Sequence, residues 1–461
     1  MSTWTYEDIR IATNSGWVIE PKGDTINYTG VAIDTRELES GQVFFAFVGE
    51  QTNGHAYLRQ AAKAGASVCV VTDASKVPSD LGVPVLVVDD ALIAITAMAG
   101  AWRTRINATV VAITGSNGKT TTCRFVHALC TQRGLSYVSQ KSFNNALGVP
   151  ITILNTPSDA KYLIAELGTS SPGEIAARAA LVKPDFAVIT SIGSAHLEEL
   201  GDRAGVAKEK SAIIDALPDG ATAVIIGGVD ELEEAIDAVK QARNIVRVDA
   251  DRVATCESSS GYTPFAFDGV GFTVPMLGMH NAMNAAMAIE VGRALGFADE
   301  LVRVGLMNVQ LPEMRLERVE IETTTESIVV YNDAYNANPD SMRAALITFD
   351  SLDGNSPKIA ILGDMLELGT HAHAQHVVFV QELAQYESIT QFILVGQAFA
   401  STGLNPGRVA LIESIDDDAM NRIASMIEPG SCVLLKGSRG IRLERIAQVL
   451  TGLHSTEPIA K

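Results

Sequence analysis

The sequence is short of cysteine, of positive charge and of long apolar runs, and each shortage closes off a class of function. Five cysteines (Cys69, Cys123, Cys130, Cys256 and Cys432) stand in 461 residues, and no two have CxxC spacing. That disfavours a thiolate zinc site and suits a reducing compartment. Lys and Arg number 35 against 54 Asp and Glu, a net charge of −19. Such a surface is repelled by nucleic acid and anionic lipid, so an anionic substrate has to be met by locally placed cations. No run of about 20 apolar residues is present to span a bilayer. The start, Met1-Ser2-Thr3-Trp4-Thr5-Tyr6-Glu7, lacks the basic and apolar segments of a signal peptide. The expectation is a cytoplasmic protein with no membrane span and no nucleic-acid partner. What is present is a globular composition, 47% hydrophobic and 19% charged. The chain is too long for one core, so several domains are expected.

One stretch organises the rest. Val110-Val111-Ala112-Ile113-Thr114 reads as a buried parallel strand. Gly115-Ser116-Asn117-Gly118-Lys119-Thr120-Thr121 follows, and then a segment able to carry a helix to about Arg133. Strand, glycine-rich turn and helix in that order make a phosphate-binding loop. Gly115 and Gly118 let the backbone approach an anion closely. Lys119 is placed for the β- and γ-phosphates of a nucleotide, and the Thr120 hydroxyl for Mg²⁺. The loop is a variant, because the position five residues before Gly118, where the common pattern has glycine, is Ile113.

Ahead of this stretch lies a small α/β unit, with strands at Val43 to Phe47, Val68 to Thr72 and Val83 to Val88. His55 to Gly65 reads as a helix closed by its glycine, and Asp89-Asp90 caps a second helix. Two polar clusters, Asp34-Thr35-Arg36 and Asn53-Gly54-His55, fall on loops. For the first, pattern alone favours an ion-paired surface turn. Asn107 to Thr109 forms the joint to the second unit. There, Asn144 and Asn145 sit in a turn, and the strand Tyr162 to Ala165 ends on Glu166. Ligands of open α/β sheets bind beyond the carboxyl ends of strands, which makes Glu166 a candidate Mg²⁺ ligand. His196 follows the end of another strand, Asp185 to Ser191. Lys208 and Lys210 open a helix, where the plain reading is a solvated face. Asn281 and Asn284 share one helix face, suited to a nucleobase or to capping. Near Pro312 a third unit begins. Its strands at Ser327 to Tyr331, Lys358 to Leu362, Gln391 to Val395 and Ser431 to Leu435 alternate with helices, which implies a doubly wound parallel sheet. The segments near Asn107 and Pro312 are the candidate hinges.

These motifs resemble the Mur ligases, ATP-dependent amide ligases of peptidoglycan synthesis. The likeness is carried by the Thr114 to Thr121 loop, Glu166, Ser194-Ala195-His196-Leu197, His280-Asn281 and Arg315. Phe143-Asn144-Asn145, Tyr335-Asn336-Ala337-Asn338-Pro339, Gly363-Asp364-Met365-Leu366-Glu367-Leu368-Gly369 with His376, and Lys436-Gly437-Ser438-Arg439 point within the family to the branch that adds D-alanyl-D-alanine to UDP-N-acetylmuramoyl-tripeptide.

The resemblance implies an α/β fold of three domains. Residues 1–106 would bind the UDP-sugar. Residues 107–312 would form a central P-loop domain, and residues 313–461 a Rossmann-like domain for ATP and the incoming dipeptide. It implies ATP and two Mg²⁺ ions, held by Thr120, Glu166 and His196. It assigns a carbamylated lysine to Lys210, with Lys208 as the alternative. It places Lys119 on the transferring phosphoryl group, Asn281 at adenine, and Arg315 and Asp333 at phosphate and ribose. Asp34, Thr35, Arg36, Asn53, Gly54 and His55 would hold the UDP-sugar. Asn144, Asn145, Tyr335, Asn336 and Asn338 would line the substrate cleft. A monomer is the default. The alternatives are another amide ligase, such as a folylpolyglutamate synthase or a different Mur step, a non-catalytic nucleotide switch, and a degenerate binding protein for peptidoglycan precursors.

Overall fold

A computed structural model describes the chain except residues 1–3, 51, 194–196, 238, 256–260, 312, 405–406 and 455–461. Three β-sheets with flanking helices follow one another along the chain, with a small fourth sheet beside the second. The first has five strands, ordered Gly16–Ile19, Val85–Val87, Val68–Val71, Val43–Phe45, Val31–Ala32. It is parallel except at the Gly16–Ile19 edge.

The central sheet is fully parallel and has six strands. Their order is Asn244–Val248, Thr222–Ile226, Phe186–Ile189, Thr109–Thr114, Tyr162–Glu166, Ser136–Val138. The Thr109–Thr114 strand is buried on both faces, which suits its unbroken run of β-branched and small residues. It lies where the strand order reverses, the position at which open α/β sheets bind ligands. An antiparallel three-stranded sheet, Val253–Thr255, Thr263–Phe267 and Val270–Val274, packs beside it. The third sheet has six strands, ordered Glu317–Ile321, Ile328–Asp333, Cys432–Lys436, Lys358–Gly363, Ile389–Val395, Val409–Ile412. Only its Glu317–Ile321 edge is antiparallel. Its own reversal point lies between Asp333, Lys436 and Gly363, so the carboxyl ends of two sheets meet at one cleft.

Two expectations are modified. The helix expected over His55 to Gly65 begins as a 3₁₀ turn at Gly54–Tyr57 and becomes α-helical only at Leu58–Ala64. The joint near Asn107 is not loose. Apolar residues of the first unit (Trp4, Val43, Phe45, Met98, Trp102) and of the second (Val110, Ile151, Ile153, Ala179) form one buried cluster. Polar ties reinforce it. Tyr28 Oη donates to Leu154 O at 2.7 Å, Asn155 Oδ1 accepts from Val31 N at 2.7 Å, and Trp102 Nε1 donates to Thr156 O at 3.0 Å. Pro312, the other candidate hinge, lies outside the described residues. No helix among the described residues is long and apolar enough to cross a membrane.

Trp102 packs on Trp4 and Tyr28, with ring centroids 5.4 and 4.9 Å away. Trp102→Ala is expected to cost about 3–5 kcal/mol in urea unfolding. Probes in the first and second units should lose signal together. An early, separate transition of the first unit would show that the joint is a hinge after all.

Candidate active site

The phosphate-type loop joins the Thr109–Thr114 strand to the Lys119–Thr131 helix. Two of its positions admit only glycine. Gly115 has φ +151° and Gly118 φ +81°. A Cβ on Gly115 would lie 1.9 Å from Thr190 Oγ1, and one on Gly118 2.2 Å from Asn284 Oδ1. The neighbouring strand end clamps the turn: Asn117 N donates to Ser191 Oγ at 2.8 Å, Gly193 N to Ser116 Oγ at 2.9 Å, and Thr190 Oγ1 to Asn117 O at 2.5 Å. Lys119 Nζ is folded back on the loop, donating to Gly115 O at 2.7 Å and Ser116 O at 3.3 Å. Burial lowers its pKa.

Beside the loop, Asn144 Nδ2 donates to Glu166 Oε1 at 2.6 Å, which holds that carboxylate in the cleft that Thr120 also lines. Asn145 does not face the same way. Its Oδ1 accepts from Gly148 N at 2.8 Å and starts the Gly148–Leu154 helix. Of the two lysines on the Arg203–Asp215 helix, Lys208 is exposed and Lys210 buried, so they are no longer equivalent. Burial, reinforced by the charge of Lys119, lowers the Lys210 amine to about 7. Next to it Glu209 is spent on structure, accepting from Gly173 N at 2.7 Å and Ile175 N at 2.8 Å. Asn281 is buried and its amide donates to Leu277 O at 2.8 Å, inside the start of its own helix. Its partner Asn284 backs Gly118. Neither side chain caps the helix, whose N-cap is Gly278, and both line the cleft. His196 lies outside the described residues.

The third unit supplies the opposite wall. Arg315 reaches back to the loop, with Nη2 2.9 Å from Thr120 Oγ1, and its guanidinium stacks 4.5 Å over Tyr335. Its Nε is buried without a partner among the described residues. Met314 and Leu316, on either side, hold left-handed backbones with φ +57° and +54°. Asn338 faces Asn117 across the cleft in a reciprocal amide pair, 2.8 and 3.3 Å, while also capping the Pro339–Asp350 helix. Asp333 is joined to Lys436 Nζ at 2.8 Å, and the same ammonium donates to Asn336 O at 2.8 Å.

These residues enclose a cleft of about 720 Å³, with Ser116 to Thr121, Asn144, Asn145, Glu166, Asn281, Arg315, Asp333, Tyr335, Asn336 and Asn338 on its walls. Lys436, Arg178 and Ser142 also line it, and the sequence did not single them out as site residues. Lys436 had a signal, since it ends a strand of an open sheet. Arg178, inside a helix, had none.

The first-unit clusters lie away from the cleft. Arg36 forms a bidentate ion pair with Asp34 and holds its carboxyl at about 2. Thr35 is half-buried between them. Gly54 fits against the backbone of Ala46, 2.8 Å from where its Cβ would be. His55 is corrected: it is buried, its Nδ1 lies 2.8 Å from Asn53 Oδ1, and its Nε2 accepts from Thr72 N and Asp73 N at 3.2 Å. Both ring nitrogens are engaged, so His55 shapes the loop and has none left for a ligand. The first unit does reach the cleft loop by another route, through Glu37 and Lys141 at 2.5 Å, one residue before Ser142.

Comparison with known proteins follows the same division of the chain. Residues 27–108 match the model of the Mur ligase family catalytic domain, residues 113–292 the Mur ligase middle domain, and residues 314–439 the Mur ligase glutamate ligase domain. The UDP-N-acetylmuramoyl-tripeptide–D-alanyl-D-alanine ligase of Bacillus subtilis is 34% identical, over 94% of this chain and 96% of its own. The enzyme of the same name from Escherichia coli is 31% identical, over 94% and 95%. A crystal structure of MurF from Acinetobacter baumannii superimposes with TM-score 0.82 at 27% identity, covering 98% of this chain and 99% of its own.

Gly118→Ala tests the loop. A left-handed alanine costs about 1–2 kcal/mol before its contact with Asn284 is counted. Calorimetric titration with ATP is expected to show at least about a tenfold loss of affinity, which is roughly 1.4 kcal/mol. Unchanged affinity would remove the loop from nucleotide binding.

Proposed function

The chain belongs to the Mur ligase family, and from that premise we propose that it joins D-alanyl-D-alanine to UDP-N-acetylmuramoyl-tripeptide at the expense of ATP, in the cytoplasm and as a monomer. The observation that carries the reading is the meeting, in one cleft, of Lys119 and Thr120 with Glu166 and, from the far wall, Arg315. The tripeptide carboxylate attacks the γ-phosphorus of ATP, giving an acyl phosphate and ADP. The dipeptide amine then attacks the acyl carbon and phosphate departs. Negative charge gathers in both steps, so fixed cations aimed at the phosphoryl group contribute most.

The residues fit the phosphates of ATP. Gly115 and Gly118 give the turn a left-handed backbone with Thr190 and Asn284 packed against it, the tight geometry a phosphate loop needs. Lys119 has only to exchange two loop carbonyls for phosphate oxygens, and the buried Arg315 Nε, unpartnered among the described residues, gains an acceptor. Mg²⁺ fits Thr120 and Glu166, with His196 as the further ligand. Mg²⁺ is held by one or two carboxylates together with substrate phosphates, and the Glu166 carboxylate and Thr120 hydroxyl on the cleft wall are donors of that kind. Bound there, Mg²⁺ supplies Lewis-acid stabilisation of the phosphoryl oxygens. Asp333, with Lys436, takes the ribose side. The first-unit loops at Asp34 to Arg36 and at Asn53 and Gly54 take the UDP-sugar. Tyr335, Asn336 and Asn338 face the dipeptide. The division into domains of residues 1–106, 107–312 and 313–461 belongs to the same reading.

Phosphate release from ATP in the presence of UDP-N-acetylmuramoyl-tripeptide is expected to require D-alanyl-D-alanine and to yield the pentapeptide precursor. Release indifferent to the dipeptide would point to a nucleotide switch.

Lys210 is the site of the proposed carbamate. With its pKa at about 7, half of the amine is neutral at that pH and able to attack CO₂; the neutral share rises further with pH and falls below it. Lys210→Ala is expected to lose at least about a hundredfold in kcat, roughly 2.7 kcal/mol. Added acetate or formate should restore a measurable part, by supplying a carboxylate in the vacated space. No rescue, with activity also indifferent to bicarbonate, would leave Lys210 as a plain structural amine.

A further inference from the structure

The incoming substrate of the proposed reaction is a zwitterion, and binding it needs opposite charges at its two ends. We infer that Glu367 holds the ammonium of the dipeptide and Arg439 its terminal carboxylate; this rests on the ligase reading above. Both side chains are exposed and both line the cleft. They come from two loops at the reversal point of the third sheet, one after the Lys358–Gly363 strand and one after the Cys432–Lys436 strand. The loops are fastened to each other one residue before each charge, where Leu366 N donates to Ser438 Oγ at 2.9 Å. A Cβ on Gly440 would lie 2.9 Å from Leu366 Cδ1, so the two loops are in contact on the far side as well. The two charges therefore spring from neighbouring points of one rim. An extended dipeptide spans about 7 Å, at roughly 3.3–3.6 Å per residue.

Direction along that rim is set by chemistry. The amine must reach the acyl carbon, which forms where the γ-phosphate is transferred, and that place is marked by Lys119. Glu367 is close enough for its charge to act on Lys119. Arg439 lies at the other side, its Nη1 2.7 Å from Met314 Sδ and 3.1 Å from Glu444. The Glu367 loop is built to be held in place. Glu367 has φ +64°, an uncommon backbone for a non-glycine residue. Two residues earlier, Met365 N donates to the buried His376 Nε2 at 3.1 Å, whose Nδ1 is fixed on Ala372 O at 2.7 Å. Asp364 is pinned by Ala398 N and Phe399 N, each at 2.9 Å. The conformation is thus fixed by buried hydrogen bonds on the loop side away from the cleft.

The assignment makes the two ends of the dipeptide separately testable. Steady-state kinetics should compare D-alanyl-D-alanine with D-alanyl-D-alaninamide, which keeps the amine and loses the carboxylate. The wild-type enzyme should favour the free acid by at least tenfold in kcat/KM. In Arg439→Gln that preference should fall to about twofold or less, about 0.4 kcal/mol. In Glu367→Gln the KM for both dipeptides should rise at least tenfold, with the acid-over-amide preference kept and the KM for ATP moved less than threefold. An intact preference in Arg439→Gln, or an unmoved dipeptide KM in Glu367→Gln, overturns the corresponding half. If wild-type turnover does not depend on the dipeptide at all, the ligase reading fails first, so the two failures are told apart.

Discussion

The turn between Thr114 and Lys119 is the constraint on which the rest depends. It closes only if two positions carry no side chain, because Thr190 stands against one and Asn284 against the other. Those neighbours are fixed in turn. Thr190 and Ser191 end the adjacent strand, and Asn284 is placed by a helix whose first turn is tied down through Asn281. The loop is thus gripped from both sides by elements that the central sheet orders. Its backbone is set before any ligand arrives, and little ordering remains to be done on binding.

The three units are not held alike. A single apolar cluster and buried hydrogen bonds run from the first unit into the second. The third unit has its own clusters, in which Leu277 is the one second-unit residue among the buried members described. What joins its wall of the cleft to the loop is polar: the Asn117–Asn338 amide pair and the reach of Arg315 to Thr120. Hydrogen bonds of this kind contribute about 1 kcal/mol each when water competes for the same groups. They are also made by atoms that a phosphate or hydroxyl can replace. The first unit is thus joined to the second by apolar burial, whereas the described contacts between the loop and the third unit are polar ones that a ligand can exchange.

Much of this was legible in the sequence, and the gaps have physical reasons. Parallel strands buried on both faces announce themselves as apolar runs, so the inner strands of the central and third sheets could be read directly, whereas their edge strands Ser136–Val138, Glu317–Ile321 and Val409–Ile412 could not. The short edge strand Gly16–Ile19 and the antiparallel sheet over 253–274 carry little such signal, being brief or half-exposed. Lys119, Thr120 and Glu166 come together on one cleft wall because motif and topology coincide. Lys210 could not be told from Lys208 by composition; only the burial of one helix face separates them. His55 misled because a polar residue in a polar cluster looks functional, whereas its ring is consumed by two backbone donors and Asn53. Asn281 is legible only by residue type, since a buried amide bonded to Leu277 O cannot be distinguished by type from one that faces a base.

The remaining question is how a chain of net charge −19 gathers anions. Its cleft is lined by Lys119, Arg178, Arg315, Lys436 and Arg439, with Lys210 buried nearby. At a few ångströms and low dielectric, such like charges repel by several kcal/mol. The structure spreads that cost differently for each. Lys436 is neutralised by Asp333, Arg178 by Glu174 and Arg439 by Glu444. Lys210 is pushed toward its uncharged form, in part by Lys119 itself. Lys119 and Arg315 are the two cations that touch the loop and Thr120, with Glu166 and Glu367 acting on Lys119 from the cleft. The acidic surface sharpens this focus, because it leaves the cleft as the place where a polyphosphate finds a favourable potential. Conversion of Lys210 to a carbamate would replace a cation in the cluster by an anion, and so would relieve the repulsion that lowers its pKa.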